Sequence, residues 1–159
     1  MSRRWILVSI LVCFTATIAF AAGATHVPKA NTKKAVAAYV QEAAKVVQKS
    51  GPSCATFASS DWKSGDYYIF VVGPDQKLVC HPKADMVGKP YDQIVNAKGD
   101  KVGERIVKMG MAGGKGWVDY LWPKPGQTVE EPKSSYIMGV TGSDGKHYVV
   151  GAGAWDLKK

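Results

Sequence analysis

From Thr32 to Lys49 the apolar positions keep helical time: Val36, Val40, Ala43 and Val47 fall at i, i+4, i+7 and i+11 and make one stripe. Asn31 or Thr32 can cap the start, and Gly51-Pro52 ends it. The period then shortens. Asp66–Val72 (DYYIFVV) is rich in β-branched and aromatic residues and stops at Gly73-Pro74-Asp75, and Lys77–His81 follows as a second strand, so the two predict a hairpin. After an irregular stretch through Met86–Pro90, helical spacing returns over Asp100–Met111, with Val102, Ile106 and Met109 on one face. The glycines of Gly110–Gly116 close that helix and lead into a strand over Trp117–Trp122. Ser135–Thr141 and His147–Ala154, joined by Gly142-Ser143-Asp144-Gly145, predict a closing hairpin.

This order predicts an α+β fold: one curved five-stranded antiparallel sheet with mostly short links. The N-terminal helix covers one face, and the helical and loop segment between strands two and three covers the other. No internal repeat is present, and Pro123–Pro132 is the only loop of biased composition.

The N-terminus adds a compartment. Arg3 and Arg4 precede an apolar run from Trp5 to Phe20, and small residues follow, Ala19-Phe20-Ala21 and Ala22-Gly23-Ala24. This is the layout of a secretory signal peptide over residues 1–24, leaving one domain over 25–159. The alternative is an uncleaved anchor, because the run approaches the roughly 20 residues that span a bilayer. Cleavage is the expectation, with the mature chain periplasmic or secreted and not membrane-spanning. Cys13 lies mid-run after Val12, which argues against lipid attachment. Removing the leader lowers the net charge from +8 to +6, since Arg3 and Arg4 leave and no acid does. The remaining lysines are scattered, which predicts a solvated basic surface and no nucleic-acid partner. Cys54 and Cys80 are the two cysteines left, and in an oxidising compartment they predict a disulfide.

Candidate chemistry concentrates in Gly116–Tyr136. Trp117, Tyr120 and Trp122 load one strand, a proline-punctuated loop ends at Lys133, and Tyr136 opens the next strand. Aromatic faces beside a lone cation suit capture of a small, partly apolar anion, with Lys133 holding a carboxylate as a point charge. Tyr120 with Trp122, and Tyr136 with Met138, share alternation phases, so each pair faces one side of its sheet. Both sheet faces are expected to be covered, so the same phases equally describe core packing. His81, at a strand end beside Cys80 and Pro82, is a candidate donor to a carboxylate or a partner for a loop carbonyl. Trp117 and Asp119 take the opposite phase from Tyr120 and are expected to pack on a helix and cap a turn.

Catalytic patterns are missing. The chain has no Gly-x-Ser-x-Gly elbow and no His-Glu-x-x-His, and Gly113-Gly114-Lys115-Gly116 lacks the spacing of a phosphate loop. Cys80-His81 supplies only the tail of a haem-attachment motif, and His26, His81 and His147 lie far apart in sequence. A zinc site from Cys54, Cys80 and His81 would compete with the disulfide for the same sulfurs. The expectation is no enzyme, no metal and no cofactor.

Taken together, Leu78–Tyr91 (LVCHPKADMVGKPY), Glu104–Met111, Gly116–Gly126 (GWVDYLWPKPG), Lys133–Val140 (KSSYIMGV) and Val149–Trp155 (VVGAGAW) form a recognisable series. The series resembles the single Cache domain, type 2, the PAS-like extracytoplasmic sensor module of bacterial chemoreceptors and sensor kinases, over about Thr32–Trp155. The resemblance implies a long N-terminal helix on a five-stranded antiparallel sheet and a pocket for small organic acids or similar metabolites. Receptor members are flanked by membrane spans and followed by a signalling domain, whereas this sequence stops at Lys159, which reads as a stand-alone exported module. Its closing Ala154-Trp155-Asp156 also departs from the Tyr-and-acid ending common in the family. Two functions follow as expectations. The first is sensing or carrying a small organic anion through Lys133, Tyr120, Trp122, Tyr136, Met138 and His81. The second is an accessory role, in which the alanine-rich helix docks on a membrane-bound receptor or kinase or forms a homodimer.

Overall fold

The computed structural model describes residues 25–158, so the leader expected over residues 1–24 lies outside the described residues. Helix α1 (Lys33–Ser50) starts at Thr32, whose side chain accepts from the Ala35 N–H, and it ends at Gly51. Its buried residues, Val36, Tyr39, Val40, Ala43, Ala44 and Val47, include the four of the predicted stripe. A short helix α2 (Cys54–Ala58), capped by Ser53, lies between α1 and the first strand, where the sequence pattern predicts no element. Strands β1 (Phe70–Val72) and β2 (Leu78–Cys80) follow, then a 3-10 turn at Ala84–Met86 and helix α3 (Val102–Met111). Three long strands complete the chain: β3 (Lys115–Pro123), β4 (Glu130–Thr141) and β5 (His147–Trp155).

The five strands form one antiparallel sheet in the order β2-β1-β5-β4-β3, with β5 at its centre. On one face α1 closes over Phe57, Trp62, Ile69, Val71, Val140, Val150 and Ala152. On the other, α3 and the β2–α3 segment close over Phe70, Val72, Leu78, Tyr91, Ile137 and Val149. Gly110 lets α3 approach the sheet, because a Cβ there would stand 2.5 Å from a Val149 methyl. The architecture is the PAS-like one expected, helix on one face and the segment between strands two and three on the other.

Two strands depart from the sequence reading by more than two residues at one end. The first strand is shorter: Ser64 and Tyr67 form a tight bridge around Gly65, which holds Asp66–Ile69 out of the ladder while Tyr68 and Ile69 are still buried. The fourth is longer, beginning at Glu130 rather than Ser135. Pro132 is tolerated there because β5 pairing starts only at Lys133, leaving Pro132 paired with Leu121 of β3 alone. Lys133 is therefore a strand residue with an inward side chain, not the end of a loop.

Candidate ligand site around a buried lysine

Lys133 sits opposite Tyr120 of β3 and opposite Trp155 of β5, so these three side chains emerge on the same face. Lys133 is 1% exposed, Trp155 3%, Tyr68 4% and Tyr120 8%. The Nζ donates to Tyr68 Oη at 2.7 Å and lies 4.3 Å from the Trp155 ring centroid, 4.4 Å from that of Tyr68 and 5.9 Å from that of Tyr120. Room for the stem comes from Gly153: a Cβ there would stand 2.6 Å from Lys133 Cε. Among the described residues no carboxylate lies within 4.0 Å of this amine.

That absence has an energetic consequence. Desolvating an ammonium costs several kcal/mol even after relaxation, and π-faces return only about 2 kcal/mol. Burial accordingly pulls the Lys133 pKa from 10.5 down to about 7, with Asp66 opposing weakly at a distance. The surrounding hydroxyls are held neutral: burial lifts the Tyr68 and Tyr120 phenols, and Tyr120 Oη is paired with Ser135 Oγ at 2.7 Å. Trp155 is fixed by its Nε1–H donating to the Trp122 carbonyl at 2.9 Å. The family-atypical tryptophan ending is thus one wall of the amine's cage.

Two cavities lie against the outer side of this cage. One, of about 170 Å³, is lined by Lys63, Tyr68, His81, Pro82, Lys83, Trp122, Pro123, Pro125 and Gly126. The other, of about 110 Å³, shares Lys63, Tyr68, His81 and Pro82 and ends on Phe57 and the two cysteines. Cys54 and Cys80 form the expected disulfide, which ties α2 to β2 and so holds one wall. His81 packs edge-on to Tyr68, and burial first, then the Lys133 charge, lowers its pKa to about 4. Its Nδ1 accepts from the Lys83 N–H at 3.1 Å, so the neutral ring carries its proton on Nε2.

The six sequence candidates divide by face. Lys133, Tyr120, Trp122 and His81 come together with Tyr68 between them, the Tyr120 and Trp122 rings 6.1 Å apart. Tyr136 and Met138 do not join them. Alternation along β4 turns both toward α1, where Tyr136 meets Trp117 at 5.4 Å and Met138 packs in the apolar cluster. Trp117 carries the Lys33 amine 5.3 Å above its ring, and Asp119 accepts from Ser134 across the β3–β4 pair rather than capping a turn. Sequence reasoning missed Tyr68, Lys63 and Lys83 and gave Trp155 no role. The available signal was the run Asp66–Val72, which holds a tyrosine at the strand entry where hydrophobic burial and a hydroxyl coincide.

An aromatic-walled cation thus lies behind a small cleft on a PAS-like sheet. The Cache domain family model matches residues 30–156, and the chain belongs to the Cache domain family of extracytoplasmic sensor and ligand-binding modules. Among solved structures it is similar to a periplasmic sensor domain of a chemotaxis protein, at 32% identity and a TM-score of 0.54, covering 64% of this chain and 68% of that one. A Cache chemosensory domain described in terms of carboxylic acid recognition matches at 23% identity and TM-score 0.54, covering 75% and 72% of the two chains. A methyl-accepting chemotaxis protein from Vibrio parahaemolyticus matches at 21% identity and TM-score 0.50, covering 60% and 64%. No helix of the described residues is long and apolar enough to cross a membrane.

Proposed function

We propose that this chain is an extracytoplasmic receptor module for a small organic acid, bound in the cleft between His81, Trp122 and the Pro123–Gly126 turn. The observation that carries this reading is the buried, carboxylate-free amine of Lys133. Tyr68 Oη accepts from Lys133 and, among the described residues, donates to no protein acceptor. Its proton is available to a carboxylate in the cleft, so the lysine's charge reaches the ligand through a hydrogen bond polarised from behind. His81 Nε2–H supplies a second neutral donor, and Trp122 with the prolines covers the apolar part of the ligand. The family and the 32%-identical chemotaxis sensor domain support a sensory role, with the periplasm or cell exterior as its location.

Thermal-shift titration of the purified protein with a panel of short organic acids tests this. Stabilisation should grow with the excess of acid over its dissociation constant. It should also weaken as pH rises above about 7, because binding an anion favours the protonated amine and the free site is losing its proton. No shift with any acid at pH 6.5, where most of the amine is protonated, would refute the reading. The accessory role through the alanine-rich helix has less support: Ala43 and Ala44 are buried against the sheet, and the outward positions of α1 include Lys34, Gln41, Glu42, Lys45 and Gln48.

A further inference from the structure

We infer that the cleft selects a ligand with two carboxylates over one with a single carboxylate; the inference rests on the organic-acid reading and adds the second charge. Charge is distributed unevenly around the opening. Lys124, one residue inside the β3–β4 turn, is neutralised by Glu131 at 3.1 Å and Asp156 at 3.5 Å. Asp85, the acid nearest His81 in sequence, is engaged by Lys89 at 3.9 Å. Lys63 and Lys83 differ: both line the 170 Å³ cleft, both are exposed, and among the described residues neither has a carboxylate within 4.0 Å. Among the described residues no aspartate or glutamate lines the cleft.

The lining therefore carries two free ammonium groups at its mouth and a third, through Tyr68, at its back. One carboxylate directed at Tyr68 and His81 answers the inner cation and leaves both rim lysines unmatched. A second carboxylate at the opposite end of a short chain lies among them. The volume agrees: about 170 Å³ leaves room for a four- or five-carbon di-acid. The rim charges are solvated, so their contribution falls with ionic strength, whereas the buried end is screened much less.

The experiment is calorimetric titration of the wild-type protein and of a Lys63→Gln/Lys83→Gln double variant at pH 6.5 and low salt. The probes are succinate, butyrate and inorganic phosphate. Succinate should bind at least tenfold more tightly than butyrate, its four-carbon mono-acid counterpart, and phosphate more weakly than either. The double variant should narrow the succinate–butyrate ratio to threefold or less by weakening succinate while leaving butyrate within twofold. Equal affinity for succinate and butyrate, or a ratio that survives in the double variant, overturns the two-carboxylate inference and leaves the organic-acid reading standing. Phosphate binding tighter than succinate overturns it in favour of a compact dianion. Binding of none of the three overturns the two-carboxylate inference, and the reading beneath it falls as well if the acid panel gives no thermal shift.

Discussion

The two faces of the sheet are made by the same strands and do opposite things. Toward α1, β4 sends Tyr136, Met138 and Val140 into an apolar cluster in which every buried polar group is satisfied; Tyr39 Oη, for instance, donates to the Trp62 carbonyl. Toward the β2–α3 segment, the intervening residues are Lys133, Ser135 and Ile137, and here a lysine is buried without an acid. One face is a core whose chemistry is complete. The other buries an amine whose hydrogen bond goes to a neutral hydroxyl, the feature on which the proposed anion site rests. A sheet with a two-residue side-chain period can carry both, provided glycine at position 153 leaves space for a long side chain on the functional side.

The largest expected effect breaks the functional face alone. Replacing Lys133 with Met removes the buried charge, so acid binding should fall at least 100-fold by calorimetry while the unliganded protein becomes more stable near pH 6. In the wild type, the unfolded chain holds the Lys133 proton up to pH 10.5 and the folded one only to about 7. Unfolded protein thus binds more protons across that window, and this residue's contribution makes stability rise with pH from about 7 to 10.5. The full gap corresponds to on the order of 5 kcal/mol at low pH. Lys133→Met should abolish that slope in denaturant titrations run at pH 6, 7.5 and 9. Binding that survives the substitution would mean the anion is held elsewhere.

Opening the Cys54–Cys80 bridge comes next. A cross-link between residues 26 apart contributes about 3 kcal/mol in the chain-entropy estimate. A Cys54→Ser/Cys80→Ser variant should lose about that much in chemical denaturation. Its acid affinity should also drop, because His81 and Pro82, which line the acid cleft, directly follow Cys80.

On the other face, Val40→Ala deletes two buried methyl carbons and leaves part of a cavity, for a loss of about 2 kcal/mol. Acid affinity of the folded protein should stay unchanged, and an affinity change comparable with that of Lys133→Met would show the faces to be coupled. The smallest effect belongs to Tyr120→Phe, which removes the hydroxyl bonded to Ser135 and keeps the ring beside Lys133. A loss of about 1 kcal/mol with little change in binding is expected, read by thermal unfolding and titration together.

Much of the scaffold was legible along the chain. The α1 stripe, the α3 face, the Gly142–Gly145 hairpin and the Cys54–Cys80 pairing each rest on neighbours in sequence or on the one partner outside the expected leader. The site was legible in part. Lys133, Tyr120, Trp122 and His81 stood out by residue type, and Tyr136 and Met138 stood out equally, because phase within a strand says which residues share a side and not which side faces the ligand.

Local pattern thus determined the elements, their order, the family and the short list of chemically notable residues. It did so because helical and strand periodicity and turn chemistry act over a few residues. Tertiary structure alone decided that Lys133 lies inside β4 rather than in a loop, that Tyr68 and Trp155 cage its amine, and that among the described residues no carboxylate reaches it. Those facts depend on residues up to 65 positions apart meeting across a sheet whose strand order differs from chain order. Desolvation is a property of such an assembled environment, so the depressed lysine pKa exists only once the sheet has closed around it.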